Sequence, residues 1–177
     1  KNFPQTQRKQ IWYFLSDGLN EIVAEYYHEN LYKPTAKPAQ DYVKTRRLDN
    51  NTLKKFKIGY SNPNNELYNL LKNKGFNEEE ILASNLVKKG SYGYFDVYKG
   101  RLMFPIQDVK NRFIAFGGRT LIPNEKPKYI NSPEGIAYSK GKNLYALNIA
   151  KSANMNNIIT CEGYMDAVSL HQRGIPN

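Results

Sequence analysis

Hydrophobic spacing changes its period along these 177 residues, and that change limits the chain to a mixed architecture. From Ile11 to Tyr32 the apolar positions Ile11, Leu15, Leu19, Ile22, Val23, Tyr26 and Tyr27 recur at helical spacing, with a break expected near Gly18. Pro34 and Pro38 end this pattern, and Ala39 to Thr45 predicts a second, short helix. Further helices are predicted at about Asn64 to Lys74 and Asn77 to Ala83, the latter opened by Asn77 with Glu80 in capping position. Beyond Asn85 the apolar runs become short and strand-like, at Arg101 to Ile106 and Arg112 to Gly117. Asp108-Val109-Lys110-Asn111 joins them, and Asn111 suits the positive φ of a hairpin corner.

The texture changes again near Leu144. Ile149 to Ala153 reads as a short helix, Asn156-Asn157 as a turn, Ile158 to Cys161 as a buried strand, and Tyr164 to Arg173 as a helix ended by Gly174 and Pro176. Helix, strand, acidic turn and helix open an α/β fold with a parallel sheet, which one strand cannot complete, so the natural chain is expected to continue. The expected class is therefore α+β: a helical N-terminal part packed with a small mixed β unit, then the first strand and helix of a truncated α/β fold. Residues 1–10 carry no core pattern and read as a linker remnant; 11–143 form the first unit and 144–177 begin the second.

With 40% hydrophobic residues the chain can bury a core, and with neither a long apolar run nor an export leader it is expected in the cytoplasm, away from membranes. The net charge of +10 is unevenly placed. Residues 86–151 hold twelve Lys/Arg against four Asp/Glu, interleaved with Tyr92, Tyr94, Phe95, Tyr98, Phe104, Phe113, Phe116 and Tyr129. Cations alternating with aromatics compose a surface that meets phosphates and stacks bases, although a solvated lysine-rich face has the same composition.

Few residues could carry chemistry. Glu162 follows the apolar run and Asp166 lies four residues on, so both carboxylates can stand at the mouth of the expected sheet, where a divalent metal or an acid/base group belongs. Acidic residues in a first helical turn also offset the helix dipole. Gly117-Gly118-Arg119, followed by Lys128, Asn131, Ser132, Lys140 and Lys142, could bring backbone amides and cations to an anion, or could be a turn with solvated lysines. The pair is neither a Walker loop nor a dinucleotide fingerprint. His28 and His171 lack partners at metal spacing and read as packing or surface residues, and the single Cys161 can form no internal disulfide.

Five blocks in order resemble the signatures of DnaG-type primases: Arg101-Leu102-Met103-Phe104-Pro105-Ile106, Ile114 to Arg119, Pro127-Lys128-Tyr129-Ile130-Asn131-Ser132-Pro133-Glu134, Tyr138 to Leu147, and Glu162-Gly163-Tyr164-Met165-Asp166. Weaker similarity runs through Tyr42 to Leu48 and Phe56 to Tyr60, so nearly the whole chain is covered. The resemblance implies synthesis of RNA primers on single-stranded DNA from nucleoside triphosphates. It makes the second unit the beginning of a Toprim domain, with Glu162 catalytic and Glu162 and Asp166 as ligands for Mg²⁺ or Mn²⁺. Arg46, Arg101, Arg119, Lys128, Asn131 and Lys140 would meet nucleic acid or nucleotide. Zn²⁺, held by an N-terminal domain, and the replicative helicase, met by a C-terminal one, would belong to parts this chain lacks, as would the Asp-x-Asp metal ligands. The chain alone is therefore expected to bind nucleic acid and make no primers. Arg47 and Asn111 depart from the family, standing where it commonly has glycine. Another Toprim enzyme, such as a topoisomerase or nuclease, would share the Glu162 block but not the blocks upstream. A non-catalytic single-stranded nucleic-acid-binding module would share them all.

Overall fold

The computed structural model describes residues 4–135 and 137–177, with the backbone alone for Trp12, Phe14, Ser16 and Asp17. Helix α1 (Gln5–Phe14) passes through a π-helical turn at Leu15–Leu19 into α2 (Asn20–Leu31). Gly18 therefore widens the helix without ending it, and Gln5 to Gln10, expected as linker, are exposed helix. After a 3₁₀ turn at Pro34–Ala36 come α3 (Lys37–Thr45) and α4 (Asn50–Lys55). Asp49 caps α4 by accepting from Thr52 N–H at 2.7 Å, a bond that also holds its carboxyl below the usual range.

Strand β1 (Gly59–Ser61) precedes α5 (Leu67–Asn73) and α6 (Glu78–Ala83), the latter opened by the expected Asn77–Glu80 capping box. Helix α5 is shorter than its sequence pattern because Asp96 accepts from Glu66 N–H at 3.0 Å and Leu67 N–H at 3.2 Å, which sets its start. A hairpin of β2 (Val87–Gly90) and β3 (Gly93–Asp96) stands apart as its own two-stranded sheet. The main sheet adds β4 (Arg101–Gln107), β5 (Phe113–Thr120) and β6 (Tyr129–Asn131) in the antiparallel order β1-β4-β5-β6. Asn111 turns the β4–β5 corner at φ 64°, as its residue type suggested.

The sheet is buried on both faces, which is why β4 reads as a continuous apolar run. Met103 and Phe116 point to one face, where Leu19, Val23, Tyr27, Leu67 and Leu71 cover them; the Tyr27 and Phe116 rings meet edge-on at 5.7 Å. Leu102 and Phe104 point to the other, against Leu31, Ala39, Val43, Leu53 and Phe56. Helices α7 (Leu147–Ser152) and α8 (Tyr164–Gln172) close the chain, and Met165 and Val168 of α8 join that second core.

The α+β class stands, but the expected strand at Ile158 to Cys161 forms no ladder. Ile158 and Ile159 are 47% and 50% exposed, Cys161 is only partly covered, and Ile159 N–H meets Asn177 C=O at 3.3 Å. A strand exists only where a neighbour takes its amides and carbonyls, and no described strand flanks this run. No helix among the described residues is long and apolar enough to cross a membrane.

The α2–β1 contact depends on Gly59, where a Cβ would sit 2.4 Å from the Tyr27 carbonyl carbon. Backbone cannot retreat as a side-chain tip can, so Gly59→Ala should destabilise the fold by ~3 kcal/mol. Chemical denaturation of both proteins measures this, and an unchanged midpoint would contradict the packing described.

Candidate functional site

Tyr42 on α3 and Arg46, which caps that helix, are one turn apart, and Arg119 on β5 comes to the same place. Arg46 Nε donates to the Tyr42 hydroxyl at 3.0 Å, with its guanidinium carbon 5.3 Å from the ring centroid. The Arg119 guanidinium carbon is 4.1 Å from the same centroid, and its Nη1 donates to the Thr120 carbonyl at 2.9 Å. Tyr129 on β6 adjoins them; burial, then the neighbouring Tyr42, raises its hydroxyl pKa, while Arg119 and Arg46 oppose the rise. Lys128 and Lys140 are exposed on loops nearby in sequence. Among the described residues no carboxylate forms an ion pair with Arg46, Arg119, Lys128 or Lys140. Arg47 holds φ 55° and so keeps the left-handed backbone of a glycine position.

Two of the expected site features have structural roles in the fold. Arg101 is buried, with Nη1 donating to the carbonyls of Gly118 at 3.3 Å and Pro127 at 3.2 Å, and Nη2 pairing with Glu125 at 3.3 Å. These bonds fold the 118–128 loop against β4 and turn much of its charge inward. The Gly117–Gly118 pair lies inside β5, laddered to β4 and β6, and offers no amide cradle. A Cβ at Gly117 would meet the Tyr164 ring at 2.6 Å, and one at Gly118 the Tyr98 ring at 2.6 Å. The glycines admit two rings, one on each face. Of the interleaved aromatics, Tyr98, Phe104 and Phe116 are likewise core residues.

The Tyr164 ring stacks on Phe104 at 5.2 Å, and its hydroxyl donates to Asn131 Oδ1 at 2.7 Å. The far end of α8 is clamped by Gln172, which accepts from Asp49 N–H at 2.9 Å and donates to Arg47 C=O at 2.8 Å. Glu162 and Asp166, both exposed, flank Tyr164 in sequence and line a pocket of about 490 Å³ whose wall includes Tyr129 and Asn131. These carboxylates are hard oxygen donors of the kind Mg²⁺ takes in ones and twos alongside substrate phosphates, so the pair fits such an ion in part. Among the described residues no three metal-binding side chains cluster. Burial raises the Cys161 thiol pKa, with Asp166 adding to the rise, so the thiol stays protonated at neutral pH.

Thus the basic residues Arg46 and Arg119 converge on Tyr42, Asn131 is bonded to the acidic turn through Tyr164, and Lys128 and Lys140 are exposed with no ion pair among the described residues. Tyr42 and Gln172 were absent from the sequence-based site, and Tyr129 entered it only as one of the interleaved aromatics. Only the four-residue spacing of Tyr42 and Arg46 on a predicted helix could have signalled the first.

A family model described as DNA primase catalytic core, N-terminal domain, matches residues 26–151. The chain is 39% identical over 177 residues to DNA primase of Escherichia coli K12, covering 97% of this chain and 29% of that protein. To DNA primase of Clostridium acetobutylicum it is 38% identical over 162 residues, covering 90% and 27%. It therefore spans under a third of the curated relatives it matches. Among solved structures, a DnaG primase catalytic domain bound to ssDNA aligns with a TM-score of 0.82 at 37% identity, covering 97% of this chain and 55% of that one. The RNA polymerase domain of Mycobacterium tuberculosis primase DnaG gives 0.86 at 29% identity, covering 96% and 55%.

His171 on α8 packs edge-on against Phe56 at 5.1 Å, and burial, then the charge of Lys55, lowers its pKa from 6.5. The folded state thus favours neutral imidazole; its stabilisation is full above pH 6.5 and is lost as pH falls through the depressed folded value. Stability should drop more between pH 7 and 5 in the parent than in His171→Gln, by denaturation at each pH. Parallel pH profiles would refute this burial of the ring.

Proposed function

The chain belongs to the DnaG-type DNA primases, carrying the N-terminal domain of their catalytic core, and we propose that in the whole protein it holds the single-stranded DNA template and nucleoside triphosphates for RNA primer synthesis. The observation that carries this reading is the convergence of Arg46 and Arg119 on one ring, with no carboxylate among the described residues paired to either. Two fixed guanidiniums present forked donors and positive charge where a phosphate would dock, and Lys128 and Lys140 extend the charge at the surface. The Tyr164 hydroxyl fixes the side chain of Asn131, a further polar contact for nucleotide or strand.

Glu162 and Asp166 would hold Mg²⁺ or Mn²⁺, which when bound supplies charge neutralisation at a triphosphate. Glu162 would be the catalytic carboxylate. Zinc and the replicative helicase are partners proposed for the whole protein through other domains. Two carboxylates are few for binding and activating a triphosphate, so the purified chain alone should make no primers. Labelled primers on a gel would overturn that statement.

Fluorescence anisotropy with labelled single-stranded DNA tests the template reading. Affinity should fall steeply with salt, and Arg119→Ala or Lys128→Ala should weaken binding evenly across sequences and reduce the logarithmic salt slope by about 0.7 each. Unchanged affinity in both variants would sink the proposed track.

A further inference from the structure

We propose that Tyr42 is a positioning residue that holds Arg46 and Arg119 as one preformed clamp for a phosphate group. The proposal rests on the reading above that this face binds nucleic acid or nucleotide, and it deepens that reading by assigning the clamp to an uncharged residue.

The two guanidinium carbons lie 5.3 Å and 4.1 Å from the centroid of the same ring. They can be no further apart than those two distances laid end to end, which is within the roughly 10 Å over which charges feel each other at 0.1 M salt. Like charges so placed repel, and no described carboxylate pairs with either. Arg119 also donates to the Thr120 carbonyl at 2.9 Å, but the one group that both guanidiniums meet is Tyr42. Its π-face attracts a cation, and its hydroxyl accepts from Arg46 Nε at 3.0 Å, which orients the planar group. Arg119 Nε is covered and lacks a hydrogen-bond partner among the described residues, so this edge of the guanidinium has a donor to offer an anion.

Tyr42 can act as a fixed post because it is partly buried and packs against the second core. Arg119 arrives from an inner strand and Arg46 from a helix end, so neither backbone alone sets the spacing of their heads. The ring joins the two arginines and carries no charge of its own to offer a phosphate. Arginine heads gathered without a counter-charge are poised for one, and an anion entering between them removes the repulsion that the ring sustains.

The phosphate could come from a template strand or from a triphosphate, so the test has two arms. Tyr42→Leu, Tyr42→Phe and Arg119→Ala are compared in the 177-residue chain for binding of a labelled oligodeoxythymidine and of a fluorescent ATP analogue, over a range of salt. Tyr42→Leu keeps both charges and fills the ring's place in the core. It should nonetheless weaken binding by about 10-fold and lower the salt slope, as Arg119→Ala does. Tyr42→Phe, which keeps the ring, should lose only about 2-fold. A loss confined to the oligonucleotide assigns the clamp to the template, and one confined to the analogue assigns it to the triphosphate; either supports the proposal. Should the leucine variant fail to fold, Tyr42→Phe carries the test, with its loss absent in an Arg46→Ala background. Binding by Tyr42→Leu equal to the parent in both arms, while Arg119→Ala is weakened, overturns the clamp and leaves the wider reading intact. No effect of Arg119→Ala in either arm overturns the clamp, and overturns the wider reading too where Lys128→Ala is equally silent.

Discussion

Two consecutive residues without side chains in an inner strand let the two halves of this molecule meet. Neighbouring positions in a strand face opposite sides, so Gly117 opens one face of β5 and Gly118 the other. Tyr164 from α8 fills the first opening and Tyr98, from the link into β4, fills the second. Glycine within a strand costs ~0.5–1 kcal/mol in lost chain entropy, which the burial of two tyrosine rings more than offsets. The Tyr98 hydroxyl lies 3.2 Å from Ser132 Oγ, and that same Ser132 oxygen accepts from Phe116 N–H at 3.0 Å. The glycine pair thus organises the β5–β6 neighbourhood through rings and not through an anion nest.

That exchange shows where sequence reasoning holds and where it stops. The capping box at Asn77, the corner at Asn111 and the helical face from Leu15 to Tyr27 are local, and each is decided by residues within a few positions. The ordered primase blocks likewise placed the family without any structure. Gly117-Gly118 could not be read the same way, because a glycine has one sequence signature for binding an anion and for admitting a ring, and the ring comes from 47 residues further on. The structural role of Arg101 was hidden for the matching reason: its charge is visible in the sequence, but the carbonyls and Glu125 that meet it are supplied by the fold. Ile158 to Cys161 has the composition of a strand, but strand character depends on neighbours as well as composition.

The net charge of +10 is therefore a poor guide to where nucleic acid would bind. Lys37, Lys57, Lys89, Arg101 and Arg112 each have a carboxylate partner, so their charge is locally balanced. The exposed pairs among them, Lys37–Asp41 and Lys89–Glu78, add little to stability, but they flatten the surface potential around them. Arg46 and Arg119 differ in having an aromatic ring where the others have an acid. An ion pair consumes charge, whereas a ring holds the cation in place and leaves its charge available.

The position of the two carboxylates follows from the same packing. Glu162 and Asp166 sit two residues to either side of Tyr164, whose ring is fixed over Gly117 and whose hydroxyl is fixed on Asn131. The extended run before them is exposed and has no ladder, so it cannot be what locates them. Their reference frame is the antiparallel sheet, through one tyrosine that touches β5 with its face and β6 with its oxygen. Arg119 is on that same β5, two residues from Gly117, and Asn131 on β6 is two residues from Tyr129. Cationic and acidic parts of the site are thus registered to the same pair of strands, so a shift of β6 against β5 would move both together.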